Sequence, residues 1–192
     1  MILLILGLVL FLGVHSTRIV AEDWRGAQLA RLGERAWKGL YSLVSIGAFI
    51  LLLWGYGQAR QQPVLLWSPP LWTRHAAALL MLASALLLVA AYVPRNALKA
   101  RLHHPMLLAV QLWAVAHLLA NGSLAGVLLF GAFLVWAVLD FGSARRRDRV
   151  AHTVYAPGTT AGTLTSVVIG VVAWALFAFW LHGPLIGVRP FG

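Results

Sequence analysis

Histidine is the residue type in this sequence with the widest choice of chemistry, and the chain has seven of them. Neutral imidazole binds iron and other transition metals, and it also transfers protons near neutral pH. The chain has no cysteine, which excludes disulfides, thiolate metal ligands, iron–sulfur clusters and cysteine nucleophiles. Its five acidic residues form no carboxylate pair, and the sequence has neither a glycine-rich phosphate loop nor a Ser–His–Asp pattern. The candidate chemistry of the chain therefore rests on its histidines.

Two histidines fall inside long apolar runs, where an ionisable side chain is costly and is by default a functional candidate. His15 comes near the end of the first run, and His117 lies within the run that follows His104 and Pro105. Two imidazoles on different helices could be the axial ligands of one haem b, because neutral imidazole suits iron and an apolar bundle excludes water. The alternatives are that His15 is an ordinary interfacial histidine and that His117 makes a single interhelical hydrogen bond.

The spacing leaves two histidine pairs open for such a haem. Helical rise predicts that His15 and His117 differ in depth by roughly 10 Å, which a helix tilt of about 20° and the span of the haem ring itself could absorb. His104, at the start of the fourth apolar run, lies closer in depth to His15 and gives the competing pair. Arg18 and Arg101 are candidates to pair with haem propionates, although both could act only as topology charges.

The composition is that of an integral membrane protein. Of its 192 residues, 61% are hydrophobic and only 10% are charged, with a mean hydropathy of +0.84. Soluble domains are nearer 45–50% apolar. The net charge of +10 comes from Lys and Arg in short gaps between apolar runs, which favours contacts with anionic lipid over binding of nucleic acid.

Six apolar runs approach the ~20 residues that a bilayer-spanning helix requires. They cover residues 2–20, 38–57, 75–93, 105–121, 123–140 and 163–182. Twelve of the 15 Lys and Arg residues fall in the first, third and fifth connecting loops, so the positive-inside rule makes those loops cytoplasmic and puts both termini outside. The sequence therefore predicts an all-α, six-helix transmembrane bundle that forms a single domain over residues 1–192.

Several motifs occur in order along nearly the whole chain. They are Leu12-Gly13-Val14-His15-Ser16 with Arg18, His104-Pro105, Trp113-Ala-Val-Ala-His117-Leu-Leu-Ala-Asn121-Gly122, and His182 with Gly187 and Pro190. Together they resemble the motifs of the NnrU family of bacterial membrane proteins. The resemblance implies a multi-pass protein of the bacterial inner membrane that is linked to denitrification and nitric oxide metabolism, without a defined reaction. It also assigns Trp113, Asn121 and His182 to the candidate pocket.

The same pattern is similar to that of plant zeta-carotene isomerase, a relative that carries haem b between two histidines and isomerises a polyene double bond when the iron is reduced. The histidine ligands of that relative match His15 and His117, so the resemblance favours this pair over His15 with His104. One departure concerns the family's Arg-His-Pro element, because His103 replaces the arginine here and the nearest arginine is Arg101. That element is shared more distantly with membrane methyltransferases that act on isoprenylcysteine.

Three functional hypotheses follow, and the sequence leaves open whether the protein is an enzyme. The first is a haem b protein that does redox-gated, isomerase-like chemistry on a small lipidic or polyene ligand, or senses such a ligand, with a separate redox partner. The second is a non-enzymatic membrane partner in the assembly of a nitrogen-oxide reductase. The third is a methyltransferase-like enzyme that uses the His104-Pro105 element.

Overall fold

The computed structural model describes residues 1–191, and this part of the chain is almost entirely helical. Extended pairing within these residues is limited to one bridge between Leu65 and Ser123. A π-helical turn, Phe177–Leu181, joins the last two α-helices. The α-helices within the described residues are α1 Ile2–His15, α2 Thr17–Val20, α3 Glu22–Leu32, α4 Glu34–Ala59, α5 Trp72–Tyr92, α6 Ala97–Leu102, α7 Pro105–Ala120, α8 Leu124–Val150, α9 Thr160–Leu176 and α10 His182–Ile186.

Four helical segments are long and apolar enough to cross a membrane, namely α4, α5, α8 and the unit from Thr160 to Ile186. The prediction of an all-α membrane protein is thereby confirmed. The apolar helices α1 and α7 have 14 and 16 residues. At the rise of an α-helix they are about 21 and 24 Å long, against a hydrocarbon core of ~30 Å. Length and composition therefore support four of the six predicted spans.

The long helices pack as a row in the order α4, α1, α8, α7, α5 and α9. The α7–α8 hairpin, which is closed by a short turn at 121–123, forms the middle of this row. α1 packs beside α8, and α5 packs beside α7. Within the described residues, α1 and α7 therefore lie on different sides of α8, and their backbones do not pack directly against each other.

Most of the basic residues lie in the connections at one end of the bundle. Arg18, Lys99 and Arg147 line a single cavity there, although they come from three distant parts of the chain. We call this the basic end. The other end holds the bridge between Leu65 and Ser123, and the Arg60 side chain there donates to the carbonyl of Ile186.

The helix ends differ most from the sequence prediction in the fifth span. α8 continues to Val150 instead of ending near residue 140. Arginine is a good helix former, and a positive charge in the last turn interacts favourably with the helix dipole, so the run Arg145–Arg149 continues the helix beyond the apolar segment. Arg147 also donates to the Ser143 hydroxyl one turn earlier, at 2.7 Å.

Small residues allow α1 and α4 to approach closely. A Cβ added at Gly7 would come within 2.6 Å of the Cα of Leu52, and a Cβ added at Gly55 would overlap the backbone of Leu3 and Leu4. Because lipid is as apolar as these side chains, close van der Waals packing of this kind holds membrane helices together. Leu4 and Leu52 are 0% and 3% exposed and belong to the apolar core of the bundle.

Gly55→Ala should therefore lower the free energy of unfolding by about 1–3 kcal/mol, because the added methyl group has no room without a shift of α1. Gly57→Ala is the matched control on the same helix, since a Cβ at Gly57 meets nothing within 4 Å. That control should be neutral or stabilising by up to about 1 kcal/mol. Unfolding in mixed detergent micelles measures both variants, and equal stability of the two would contradict the described packing.

Candidate functional site

His15 lies at the C-terminal end of α1 among aromatic side chains. Its Nδ1 is 2.7 Å from the carbonyl oxygen of Phe11, one turn earlier in the helix. The imidazole stacks on the Phe11 ring at 4.2 Å between centroids. Tyr41 and Trp136 approach the imidazole edge-on from α4 and α8, at 5.4 and 6.1 Å. His15 is thus held between three helices at a fixed orientation.

His117 has the same arrangement near the C-terminal end of α7. Its Nδ1 is 2.8 Å from the carbonyl oxygen of Trp113, again one turn earlier. Its imidazole stacks on Phe130 of α8 at 4.5 Å and contacts the Trp113 ring at 5.3 Å. Aromatic side chains therefore surround both imidazoles.

The backbone contacts decide the tautomer of both imidazoles. A carbonyl oxygen can only accept a hydrogen bond, so the proton must be on Nδ1, and the neutral ring then has its lone pair on Nε2. Neither Nε2 has a hydrogen-bond partner within residues 1–191. Metal-binding histidines commonly show this arrangement, in which one ring nitrogen bonds a carbonyl and orients the other as the ligand.

The structure does not bring the two imidazoles into contact. The path between them runs through three other rings, from His15 to Phe11, then to Phe133 and Trp113, and then to His117. Their partners on α8, Trp136 and Phe130, are six residues apart, which corresponds to about 9 Å along that helix. The donor chemistry of both histidines fits a haem iron, but aromatic side chains occupy the path between them.

One buried polar atom near His15, the indole Nε1 of Trp136, also lacks a partner within the described residues. A buried donor without an acceptor costs about 1–3 kcal/mol, so such atoms are rare unless a ligand or a water satisfies them. The surroundings of His15 therefore offer a hydrogen bond to a bound group.

His104, the alternative ligand, lies at the basic end and already has a partner. Its Nε2 is 2.8 Å from Oδ2 of Asp148, and the Tyr155 hydroxyl donates to the same oxygen at 2.8 Å. Phe141 and Tyr155 present their rings edge-on to His104, at 6.1 and 6.2 Å. This imidazole belongs to a His–Asp–Tyr cluster, and His15 is not among its ring contacts.

The residue that replaces the expected arginine, His103, has an unusual backbone. Its φ of 65° and ψ of −51° place it at the centre of a γ-turn, which the Leu102 carbonyl closes by accepting from His104 N at 2.7 Å. γ-Turns with positive φ are rare and strained, and such strain persists only where the surroundings fix it. The His103 ring stacks flat on Tyr155, with 4.2 Å between centroids and 4° between planes.

A cavity of about 510 Å³ opens beside this cluster. Arg18 lines it, whereas Arg101 is exposed and is not among the lining residues. Lys99 also lines it. The Asn96 side chain holds the turn before Lys99. Its Nδ2 donates to the carbonyls of Ala90 and Val93, and its Oδ1 accepts from the backbone N–H of Lys99.

The remaining candidate residues lie toward the opposite end. Trp113 packs against His117, as described above. Asn121 closes the α7–α8 turn, where its Oδ1 accepts from both the amide and the hydroxyl of Ser123. The His182 Nδ1 lies 2.6 Å from the Val188 carbonyl, and its ring contacts Phe177 rather than His117.

Sequence reasoning missed Asp148, Tyr155 and Lys99 as site residues. Asp148 is the one acidic residue in the basic run 145–149, and its spacing gives no sign of His104, which lies 44 positions away. Tyr155 follows in a loop without periodicity. Only the tertiary packing of the α7–α8 hairpin brings these side chains together.

The Asp148 carboxylate should control the ionisation of Tyr155. Burial, followed by the hydrogen bond to Asp148 and its negative charge, raises the pKa of Tyr155 to about 12. Asp148→Asn removes the charge that opposes tyrosinate, so the pKa of Tyr155 should fall toward its ordinary value of 10. An ultraviolet titration of tyrosinate, with Tyr155→Phe to identify the signal, measures this change. An unchanged titration in Asp148→Asn would show that the two groups do not interact.

Comparison with known proteins gives one positive result. Neither the curated proteins nor the solved structures contain a match to this chain. The family model described as "NnrU protein" matches residues 3–190, nearly the full length of the sequence. The chain therefore belongs to the NnrU family.

Proposed function

We propose that this protein binds haem b inside the membrane and that His15 and His117 are its axial ligands. The proposal rests on one observation, that the two imidazoles make the same hydrogen bond although they lie on two different apolar helices. Each has Nδ1 bonded to the carbonyl one turn earlier and Nε2 without a partner within residues 1–191. Two independent helices have the same ligand-ready tautomer, which suits iron coordination.

The surrounding residues suit a large apolar cofactor. Phe11, Phe130, Phe133 and Trp113 would contact a porphyrin and keep water from the iron, which tunes its reduction potential. The Nε1 of Trp136 is a buried donor without an acceptor, and a bound group would satisfy it. Within residues 1–191, no three His, Asp or Glu side chains form a metal-binding group. Haem requires only two protein ligands, because the porphyrin supplies the others.

Both histidines can serve one iron only if the rings between them are displaced. Phe133 and Trp113 lie on the contact path between the imidazoles. Their side chains, from α8 and α7, would have to turn away from this path. The proposal therefore includes a rearrangement of these two side chains when haem binds.

Bound haem b would supply a redox-active iron for isomerase-like chemistry on a polyene, or for sensing a small ligand in nitrogen-oxide metabolism. Membership of the NnrU family motivates this assignment, together with the resemblance of the sequence motifs to those of zeta-carotene isomerase. The apolar and aromatic surroundings of His117 suit a lipidic ligand better than a polar one. The chain itself would orient the two imidazoles and exclude water.

Purified protein in detergent, reconstituted with haem b, should show a Soret band and sharp low-spin visible bands on reduction. His15→Ala and His117→Ala should each change these bands to those of a high-spin haem or abolish binding, because one axial ligand is lost. His75→Ala is the matched control, since His75 is exposed at the start of α5.

The spectra also separate the alternatives. Wild-type bands that persist in both variants would exclude this pair as ligands. A wild-type protein that stays colourless and copurifies with a second subunit would instead favour a role in assembly of a nitrogen-oxide reductase. Loss of the bands in His104→Ala but not in His117→Ala would assign the iron to the competing pair.

We also propose that α1 and α7 complete a six-span bundle of the bacterial inner membrane, with the basic end in the cytoplasm and both termini outside. α1 is followed after one residue by α2, so the helical segment from Ile2 to Val20 approaches the length of a span. The charge difference between the two ends of the bundle supports this orientation.

Single cysteines should report this orientation directly, because the natural chain has none. Ala30→Cys lies on exposed α3 at the basic end, and Gln62→Cys lies in the exposed loop at the opposite end. In intact cells, a membrane-impermeant maleimide should label only Gln62→Cys, and in inverted vesicles only Ala30→Cys. Labelling of both positions from the same side would contradict the proposed topology.

A further inference from the structure

The cavity at the basic end has features that the haem proposal does not use. Its lining includes the charged residues Arg18, Lys99, Arg147, Asp140 and Asp148. Tyr92, Met106 and Leu107 also line it. Charged and apolar groups thus share one cavity of about 510 Å³.

The positive charges in this cavity are unequally neutralised. Arg147 lies 3.5 Å from Asp140, and Arg18 lies 3.4 Å from Glu22. Lys99 has no carboxylate partner within residues 1–191, and its ammonium donates only to the carbonyl of Ala91, at 2.8 Å. An ammonium has three donors, so Lys99 can still bind an anionic group.

The apolar part of the lining opens toward the membrane. Tyr92, the last residue of α5, and Met106, near the start of α7, are 74% and 42% exposed. Both lie on apolar helices of the bundle, so in a bilayer their exposed surface faces lipid near the interface. The Tyr92 hydroxyl lies 3.8 Å from the Met106 sulfur, so the two side chains form one continuous surface. An acyl chain could lie against this surface while its head group stays among the charges.

We propose that this cavity binds an amphiphile with a phosphate-type acidic head group. Lys99 is the principal contact to the head group, Arg18 is the second cation, and the tail lies between Tyr92 and Met106. Basic pockets between transmembrane helices bind anionic lipid head groups in this way. The site is separate from His15 and His117 and does not depend on haem.

His104 gives the site a second polar function. The Nε2 of His104 is hydrogen-bonded to Asp148, and the Nδ1 of His104 has no partner within residues 1–191. Because the carboxylate accepts from Nε2–H, Nδ1 of the neutral imidazole can accept a hydrogen bond from a head-group hydroxyl. The strained turn at His103 fixes the position of this imidazole relative to Lys99, because the His103 amide donates to the Lys99 carbonyl at 2.9 Å.

Calorimetry on the full-length protein in neutral detergent tests the proposal with three probes: dioctanoyl phosphatidic acid, dioctanoylglycerol and inorganic phosphate. The phosphatidic acid should bind saturably at one site per chain. The other two probes should bind at least about tenfold more weakly, because dioctanoylglycerol lacks the charge and inorganic phosphate lacks the acyl tail. Equal binding of inorganic phosphate would identify a free-anion site, and equal binding of dioctanoylglycerol would identify a nonspecific apolar groove. Either result would overturn the proposal.

Lys99→Gln should weaken binding of the phosphatidic acid by about tenfold, because glutamine keeps an N–H donor but has no charge. Arg146→Gln is the matched control, since Arg146 is exposed on α8 and does not line the cavity. Equal losses in the two variants would indicate diffuse attraction to a basic surface and would overturn the site. If Lys99→Gln fails to fold, the wild-type comparison of charged and neutral probes still decides the outcome.

Discussion

Every polar group that this chain places inside its apolar bundle must find a partner within the chain or in a bound ligand, because lipid provides none. His15 and His117 meet this constraint in the same way, by a hydrogen bond from Nδ1 to the carbonyl one turn earlier. That bond satisfies one nitrogen of each ring and leaves the other with a lone pair. The interaction that makes the imidazole tolerable in the bundle therefore also prepares it as a ligand.

The α7–α8 hairpin contributes residues to both candidate sites, and side-chain contacts hold it at its two ends. Asn121 and Ser123 close the turn at the opposite end. At the basic end, the His104–Asp148 contact joins the start of α7 to the last turns of α8. The register of the two helices is thereby fixed, and with it the stacking of His117 on Phe130. A change at His104 can therefore affect His117 although the two residues lie at different ends of the hairpin.

The apolar runs were sufficient to predict the helices, because the length of an uninterrupted apolar segment is a strong signal of a membrane helix. α5 and α7 lie within three residues of their predicted bounds. The end of α8 could not be predicted in the same way. Hydropathy marks the edge of the membrane, whereas the helix continues through arginines that are good helix formers.

The sequence was less informative about the sites. His15 and His117 could be chosen because an ionisable residue in an apolar run is conspicuous, and the structure adds the tautomer that the sequence cannot give. The partners of His104 could not be predicted, since Asp148 is 44 positions away and Tyr155 lies in an irregular loop. Long-range pairs of this kind depend on how the hairpin packs, and no local pattern encodes them.

The row arrangement also determines what haem binding would require of the fold. α1 and α7 are both neighbours of α8 and do not pack against each other within residues 1–191, so α8 and its Phe133 side chain lie between His15 and His117. A side chain can change its rotamer far faster than a packed helix can move. For one iron to contact both imidazoles, the side chains of Phe133 and Trp113 would therefore have to leave the contact path between them.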